Sequence, residues 1–264
     1  MRITTVAATS DRLLTLLLLA CGVLLVTACS GSKTVKDQNQ RGDAANLNLQ
    51  LGIDYFRKGE LQLAKDKIDR ALEQDPRNAN LQSTAGLLYD RLGETSKAEN
   101  HYSEAVSLEP KNPELRNNFA VFLCRHKKYD KGEKQALLAT ADPLYRTPEV
   151  AYLNAGFCAR GAGDPKRAEQ HFRRALALKP RFAPALLEMA DLEFKQQNYL
   201  PARAFLERHL AVQPAGPQAL WLGVRIEQAL GNRALAGDYG RRLTGDYPTS
   251  DEAKAFMEAA RAAR

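Results

Sequence analysis

Five prolines divide most of this 264-residue sequence into segments of regular length. They are Pro76, Pro110, Pro180, Pro214 and Pro248. The position numbers of neighbouring members differ by 34, except that those of the second and third differ by 70, which is two such periods plus two. Proline lacks a backbone N–H and clashes with a preceding helical turn, so each is expected to mark the end of a helix. The spacing therefore predicts repetition of one small helical unit.

Two further positions of the unit are conspicuous. An alanine stands 12 positions before each proline, at Ala64, Ala98, Ala168, Ala202 and Ala236. A large apolar residue stands eight positions before four of them, at Ile68, Tyr102, Phe172 and Leu206, with Gly240 as the exception. Small residues where helices approach and large ones in the gaps, repeated with this period, are typical of tetratricopeptide repeats.

We therefore expect an all-α, right-handed superhelix of about six tetratricopeptide repeats plus a C-terminal capping helix. The predicted repeats span residues 45–78, 79–112, 113–148, 149–182, 183–216 and 217–250. A last helix should follow, with Ser250 or Asp251 as its cap. The third repeat is degenerate, because Gly132 replaces its alanine and the stretch "TADPLYRTPE" carries the two additional residues.

The N-terminus predicts export from the cytoplasm. Leu13 to Ala28 form an uncharged apolar run behind Arg2 and Arg12, which is the pattern of a signal peptide and is too short for a membrane-spanning helix. The run ends in "VTAC", which resembles the lipobox of bacterial lipoproteins and identifies Cys29 as the acylated first residue of the mature chain.

Two alternatives to Cys29 exist. Cys21 also follows "LLA", but cleavage there would leave an apolar "GVLLVTA" on the mature protein. The other alternative is an ordinary signal peptide without lipidation. We therefore predict a lipoprotein signal peptide over 1–28, an acylated cysteine with a flexible tether over 29–43, and a tetratricopeptide-repeat domain over 44–264.

Composition and motifs argue against an enzyme and against a nucleic-acid binder. The formal net charge is +7, but basic residues are scattered among acidic ones rather than clustered. The sequence has no His-Glu-x-x-His, glycine-rich phosphate loop or Gly-x-Ser-x-Gly motif. We expect no catalytic residue, no metal, no cofactor and no small-molecule substrate.

Cys124 and Cys158 fall in the first helices of adjacent predicted repeats. An exported protein meets an oxidising compartment, so a disulfide between these repeats is the preferred interpretation. The alternative is a pair of buried thiols, which pack as small apolar groups.

Three stretches carry a more specific resemblance. They are "NNFAVFLCRHKKYDKGEKQ" (117–135), "DPLYRTPEVAYLNAGFCARGAGD" (142–164) and "ALLEMADLEFKQQNYLPARAFLERHL" (185–210). With the signal region, they resemble the type IV pilus biogenesis and stability lipoproteins of the PilF/PilW type over nearly the whole chain.

The resemblance implies a pilotin, which is a lipoprotein that binds subunits of the type IV pilus secretin and promotes their localisation and assembly. It implies an outer-membrane lipid anchor, in keeping with Ser30 rather than an aspartate after the cysteine, and a repeat domain in the periplasm. An alternative is a tetratricopeptide lipoprotein scaffold for cell-wall synthesis or outer-membrane protein assembly.

The partner is expected in the groove formed by the first helices of the repeats. The residues predicted to face it are Leu49, Ile53, Phe56, Leu87, Asn117, Val121, Leu153, Phe157 and Arg160. Large apolar side chains facing a groove favour a protein-binding site. The alternative is that they pack against an adjacent helix, since one turn of register error would place them in the core.

Overall fold

The structure is a computed structural model that describes residues 30–262 of the chain. The predicted signal peptide and Cys29 lie outside the described residues, so lipidation stays a prediction. The described part contains thirteen helices and no strand: α1 Ser30–Arg57, α2 Leu61–Gln74, α3 Ala79–Arg91, α4 Thr95–Leu108, α5 Pro113–Arg125, α6 Tyr129–Ala139, α7 Pro148–Gly161, α8 Pro165–Leu178, α9 Ala183–Lys195, α10 Tyr199–Leu210, α11 Pro217–Ala229, α12 Arg233–Asp246 and α13 Asp251–Ala262.

The helices pair in chain order, and the prediction of six repeats plus a closing helix is confirmed. Each odd-numbered helix from α1 to α11 is the first helix of a repeat and packs against the even-numbered helix that follows it. The hydroxyl of Ser250 accepts a hydrogen bond from the Ala253 N–H (3.1 Å) and so caps α13. None of the helices in residues 30–262 is both long enough and apolar enough to cross a membrane.

A contact between a small and a large residue 16 positions apart holds most repeats together. A Cβ atom built on Gly86 would lie 2.8 Å from the Tyr102 ring, and one on Gly156 would lie 2.2 Å from the Phe172 ring. Gly52 and Ile68 make the equivalent contact in the first repeat, and Gly223 and Tyr239 in the sixth. Each large side chain therefore occupies the space that a Cβ on the partner helix would need.

The sequence exception at Gly240 has a direct explanation. A Cβ on Gly240 would lie 2.4 Å from the ring of Phe256, which stands 16 positions further along the chain. The closing helix α13 therefore docks on α12 through the same kind of contact that joins the two helices of a repeat. The large residue of the sixth repeat is shifted by one position, to Tyr239.

The turn inside each repeat has a left-handed residue at a fixed position. Glycine adopts it at Gly59, Gly93, Gly163 and Gly231, with φ between 76° and 82°. The third and fifth repeats instead place Lys127 (φ 61°) and Gln197 (φ 64°) there. A side chain in this region costs roughly 1–2 kcal/mol, so these two turns are strained relative to the others.

The third repeat replaces the usual contact with a disulfide. Cys124 on α5 and Cys158 on α7 are bonded, with their Cα atoms 5.3 Å apart. A Cβ on Gly132 would lie 2.2 Å from the Cys124 Sγ atom. The glycine that makes this repeat degenerate in sequence therefore provides the space for the sulfur. The two additional residues lie in a loop whose Tyr145 is buried.

The structure differs from the predicted tether over 29–43, because α1 is one helix from Ser30 to Arg57. Ala45 is buried, and the helix packs against α2. No proline interrupts residues 30–44. Packing fixes the part of α1 that begins at Ala45. The helix can extend from there toward Ser30 without a new nucleation step, because each added residue forms one further backbone hydrogen bond.

Gln197→Gly should stabilise the protein by about 0.5–1 kcal/mol, because glycine adopts the left-handed conformation without the steric cost of a Cβ. The measurement is the free energy of unfolding from urea denaturation. Gln196→Gly is the matched control: Gln196 is also exposed but has φ −82°, so glycine there should give no gain. Equal effects of the two variants would contradict the proposed strain.

Gly132→Ala should destabilise the disulfide-bonded protein by about 1–3 kcal/mol, since the new methyl group overlaps the Cys124 sulfur. The same change made in a Cys124→Ala/Cys158→Ala background should cost less, because the sulfur is gone and the tight contacts that remain are with the backbone O of Ala120 (3.0 Å) and the backbone N of residue 124 (3.2 Å). Urea denaturation of the four proteins measures this coupling. Additive effects would exclude a specific fit between Gly132 and the disulfide.

Candidate protein-binding groove

The first helices of the repeats form one face of the superhelix, and two hollows lie on it. The smaller, of about 190 Å³, lies between α3 and α5 and is lined in part by Leu87 and Val121, with Tyr102 of α4 behind them. The larger, of about 620 Å³, is lined by α7, α9 and α11 and by Glu252 of α13. We call them the N-terminal hollow and the C-terminal cavity.

The C-terminal cavity lies where adjacent first helices are least closely packed. Direct contacts join α1 to α3, α3 to α5, α5 to α7, α9 to α11 and α11 to α13, whereas α7 and α9 make fewer direct contacts than any of these pairs. The cavity opens at this gap. Its lining residues are Phe157, Arg160, Gly161, Leu187, Glu188, Asp191, Lys195, Gln218, Trp221, Leu222, Arg225 and Glu252.

The predicted groove residues separate into two groups. Leu87, Val121, Phe157 and Arg160 line one of the two hollows. Asn117 lies at the junction of α5 and α7, where its side-chain oxygen accepts a hydrogen bond from the Asn154 amide (2.9 Å).

The second group packs inward. Leu49 and Phe56 are partly buried against the hydrophobic core of the first two repeats, and Leu153 is a buried core residue, 7% exposed. Ile53 is half-buried and lines neither hollow. For Leu49, Phe56 and Leu153 the structure agrees with the alternative that they pack against neighbouring helices, because α1 and α7 turn these positions toward their partners.

The sequence prediction missed several cavity residues that the 34-residue period of the repeats could have located. Adding 34 to Phe157 gives Asp191, and adding 34 again gives Arg225. The same step from Leu153 leads to Leu187 and then to Trp221. The signal was weak because the position occupied by Phe157 changes from apolar to charged in the last two repeats.

An ion-pair network crosses the cavity. Arg160 on α7 donates to Glu188 on α9, and its guanidinium lies 3.7 Å from Asp191. Lys195 also pairs with Asp191, with 2.6 Å between Nζ and Oδ2. The two Arg160 contacts bridge α7 and α9, whose backbones make few direct contacts.

The environment of Glu188 is electrostatically unusual. Burial raises the pKa of Glu188 above its ordinary value, while the Arg160 guanidinium beside it lowers that pKa and so opposes the effect. Arg160 is itself held in place by the ring of Phe157, 5.2 Å from the guanidinium carbon. The residues that surround the cavity can bind polar and apolar groups. Within residues 30–262 no group of His, Cys, Asp and Glu could hold a metal ion.

Arg160→Gln should destabilise the protein in a pH-dependent way. When the pKa of a carboxyl group is higher in the folded than in the unfolded state, the protein becomes less stable as pH rises from the unfolded-state pKa to the folded-state pKa. Without Arg160 the pKa of Glu188 rises further, so the loss should be small near pH 4 and reach about 1–2 kcal/mol at pH 7.

Urea denaturation of the wild type and variant at both pH values measures this difference. Arg241→Gln is the control, because the Arg241–Asp238 pair is exposed and should contribute little at either pH. An Arg160→Gln effect of equal size at pH 4 and pH 7 would contradict the role assigned to Glu188.

Comparisons with known proteins identify the family. The tetratricopeptide-repeat family matches residues 49–113 and 159–222. The chain is 30% identical to the type IV pilus assembly protein PilF of Pseudomonas aeruginosa over 242 residues, which cover 89% of this chain and 95% of that protein.

Two solved structures have the same fold. The crystal structure of PilW, a widely conserved type IV pilus biogenesis factor, superposes with a TM-score of 0.73 at 31% identity and covers 81% of this chain and 98% of that one. Pseudomonas aeruginosa PilF gives 0.71 at 29% identity, covering 83% and 99%. The chain therefore belongs to the PilF family of tetratricopeptide-repeat proteins of type IV pilus biogenesis.

Proposed function

We propose that this protein is a pilotin: an outer-membrane lipoprotein that binds subunits of the type IV pilus secretin and promotes their localisation and assembly into multimers. Pilus biogenesis and twitching motility would then depend on it. The observation that carries the proposal is the relationship to PilF, which extends over 95% of that type IV pilus assembly protein rather than over isolated repeats.

The physical features of the chain suit an adaptor that performs no covalent chemistry. The first-helix face offers two hollows, one lined in part by Leu87 and Val121 and the other by aromatic and charged side chains. Such a surface can bind an extended or helical segment of another protein. Acylation at Cys29 would supply the membrane address, because several acyl chains anchor a protein stably.

The helix α1 would set the distance between the anchor and the binding face. Residues 30–44 of this helix precede Ala45, which is buried in the repeat domain. At about 1.5 Å per residue, this part of the helix is roughly 22 Å long. The repeat domain would thus stand away from the bilayer on a defined spacer rather than on a random coil.

The test is the state of the secretin in fractionated membranes on an unboiled gel. We expect multimers to be lost in a deletion strain and the secretin to be unassembled or misplaced with Cys29→Ala, because the adaptor would no longer reach the outer membrane. Cys21→Ala is the matched control and should resemble the wild type. Normal multimers in the deletion and in Cys29→Ala would contradict the proposal and favour a lipoprotein scaffold for cell-wall synthesis or outer-membrane protein assembly.

A further inference from the structure

One position of the first helices changes character along the chain. It is apolar in the first four repeats, where it is occupied by Ile53, Leu87, Val121 and Phe157. In the fifth and sixth repeats it is Asp191 and Arg225. Both line the C-terminal cavity. The packing of the repeat does not require a charged pair at an otherwise apolar position, so Arg225 is a candidate for contact with another molecule.

The guanidinium of Arg225 is fixed in place between two aromatic rings. Its central carbon lies 4.8 Å from the ring of Phe194 and 5.5 Å from the ring of Trp221. Stacking of this kind orients the planar guanidinium and limits its motion. The side chain is therefore held ready for an acceptor and would lose little conformational entropy on binding one.

Among residues 30–262 Arg225 has only a long ion pair. Its Nε atom is buried and makes no hydrogen bond, and the nearest carboxylate oxygen, on Asp191, is 4.0 Å from Nη2. Asp191 already accepts from Lys195 at 2.6 Å. A neutralised carboxylate at this distance leaves the hydrogen-bonding capacity of the guanidinium largely unused.

Arg160, on the opposite wall of the cavity, differs from Arg225 in having a carboxylate within hydrogen-bonding distance. It stacks on one ring, that of Phe157, and is paired with Glu188. The two arginines are thus similarly oriented by aromatic side chains, but only Arg160 has a closely bonded carboxylate partner. A carboxylate supplied by another molecule would complete the hydrogen bonding of Arg225, as Glu188 does for Arg160.

The residues that line the cavity beside Arg225 indicate which chemical groups a bound molecule would have besides a carboxylate. The cavity of about 620 Å³ is large enough for several side chains, and Leu187, Trp221 and Leu222 give it apolar walls. Glu252 also lines it and has no ion pair in the described part of the chain. An occupant with many acidic groups would be repelled by this carboxylate, so the chemistry fits one carboxylate with apolar neighbours.

We propose that the C-terminal cavity binds a segment of a protein partner in which one acidic side chain, flanked by apolar residues, pairs with Arg225 while an apolar neighbour enters the cavity against Trp221. This inference does not depend on the identity of the partner and holds whether or not that partner is the secretin.

The first experiment selects peptides from a random phage-displayed library on the immobilised mature protein. The enriched sequences should share a single Asp or Glu next to an aromatic or aliphatic residue. Selection on Arg225→Gln should lose this motif. Arg208→Gln is the matched control and should retain it, since Arg208 also stacks on a ring, that of Phe205, but lies on α10 outside the cavity.

The second experiment measures affinity on the unaltered protein, which removes any effect of a variant on folding. Trp221 is the single tryptophan of the chain and lines the cavity, so its fluorescence reports occupancy. The enriched peptide should change the emission, and its Asp→Asn or Glu→Gln counterpart should bind at least about tenfold more weakly, as expected for a hydrogen bond between charged groups.

Three results would overturn the proposal. They are failure of the library to enrich any motif, enrichment of peptides without a carboxylate, and equal affinity of the acidic and amide peptides. A peptide that binds without altering the Trp221 emission would place the site elsewhere on the molecule and would overturn it as well. None of these results bears on secretin multimers in membranes, so the proposed function is tested separately.

Discussion

The close approach of a small residue on one helix to a large residue on the antiparallel helix holds most repeats of this superhelix together, and the arrangement of the other elements depends on it. Gly156 has no Cβ, so the ring of Phe172 reaches the backbone of α7 and fills the space between the helices. The same distance along the chain joins Gly240 to Phe256 and fixes the closing helix. Because these contacts are local, each repeat is stabilised mainly by itself and its neighbours.

The third repeat departs from this rule in both of its helices. At the positions of the glycine and the large residue it has Ala120 and Ala136, both fully buried, so the usual contact contributes less packing there. A covalent bond from Cys124 to the next repeat replaces it, and Gly132 leaves room for the sulfur. The bonded cysteines have a sequence separation of 34, and in the chain-entropy description closing a loop of this length stabilises by about 3–4 kcal/mol. The bond therefore offsets the poorer packing.

The repeating part of the fold was predictable from sequence because the regular period fixes both helix ends and helix partners. The prolines and alanines located five of the six repeats, and the spacing of 70 between Pro110 and Pro180 located the third, which has two additional residues. Two details were not predictable in this way. The polar segment before Ala45 has no periodic pattern of apolar residues that would predict a helix, so only the structure shows α1 as one continuous helix. Leu153 and Phe56 face the core whereas Phe157 faces the cavity. All three are large apolar residues of first helices, and the direction that each faces is set by the tertiary packing of its helix.

The candidate binding face was predictable where it is apolar and not where it is charged. Leu87, Val121 and Phe157 follow from the period and from their size. Asp191 and Arg225 occupy the same repeat position, but a charge at that position is ordinarily a solvated surface residue. The structure is needed to show that Arg225 is oriented by Phe194 and Trp221 and has only a long ion pair with Asp191, which already accepts from Lys195.

The disulfide and the gap beside it give the superhelix unequal stiffness along its length. The bond between α5 and α7 fixes the distance between the first helices of the third and fourth repeats. One repeat further, α7 and α9 are in loose contact, while α8 still packs against α9 on the other side. Bending of the superhelix at this junction would pivot about the contact between α8 and α9 and would change the separation of α7 and α9. The C-terminal cavity therefore opens at the junction whose first helices are joined mainly by the Arg160 ion pairs, and its width would follow any change in the curvature of the superhelix.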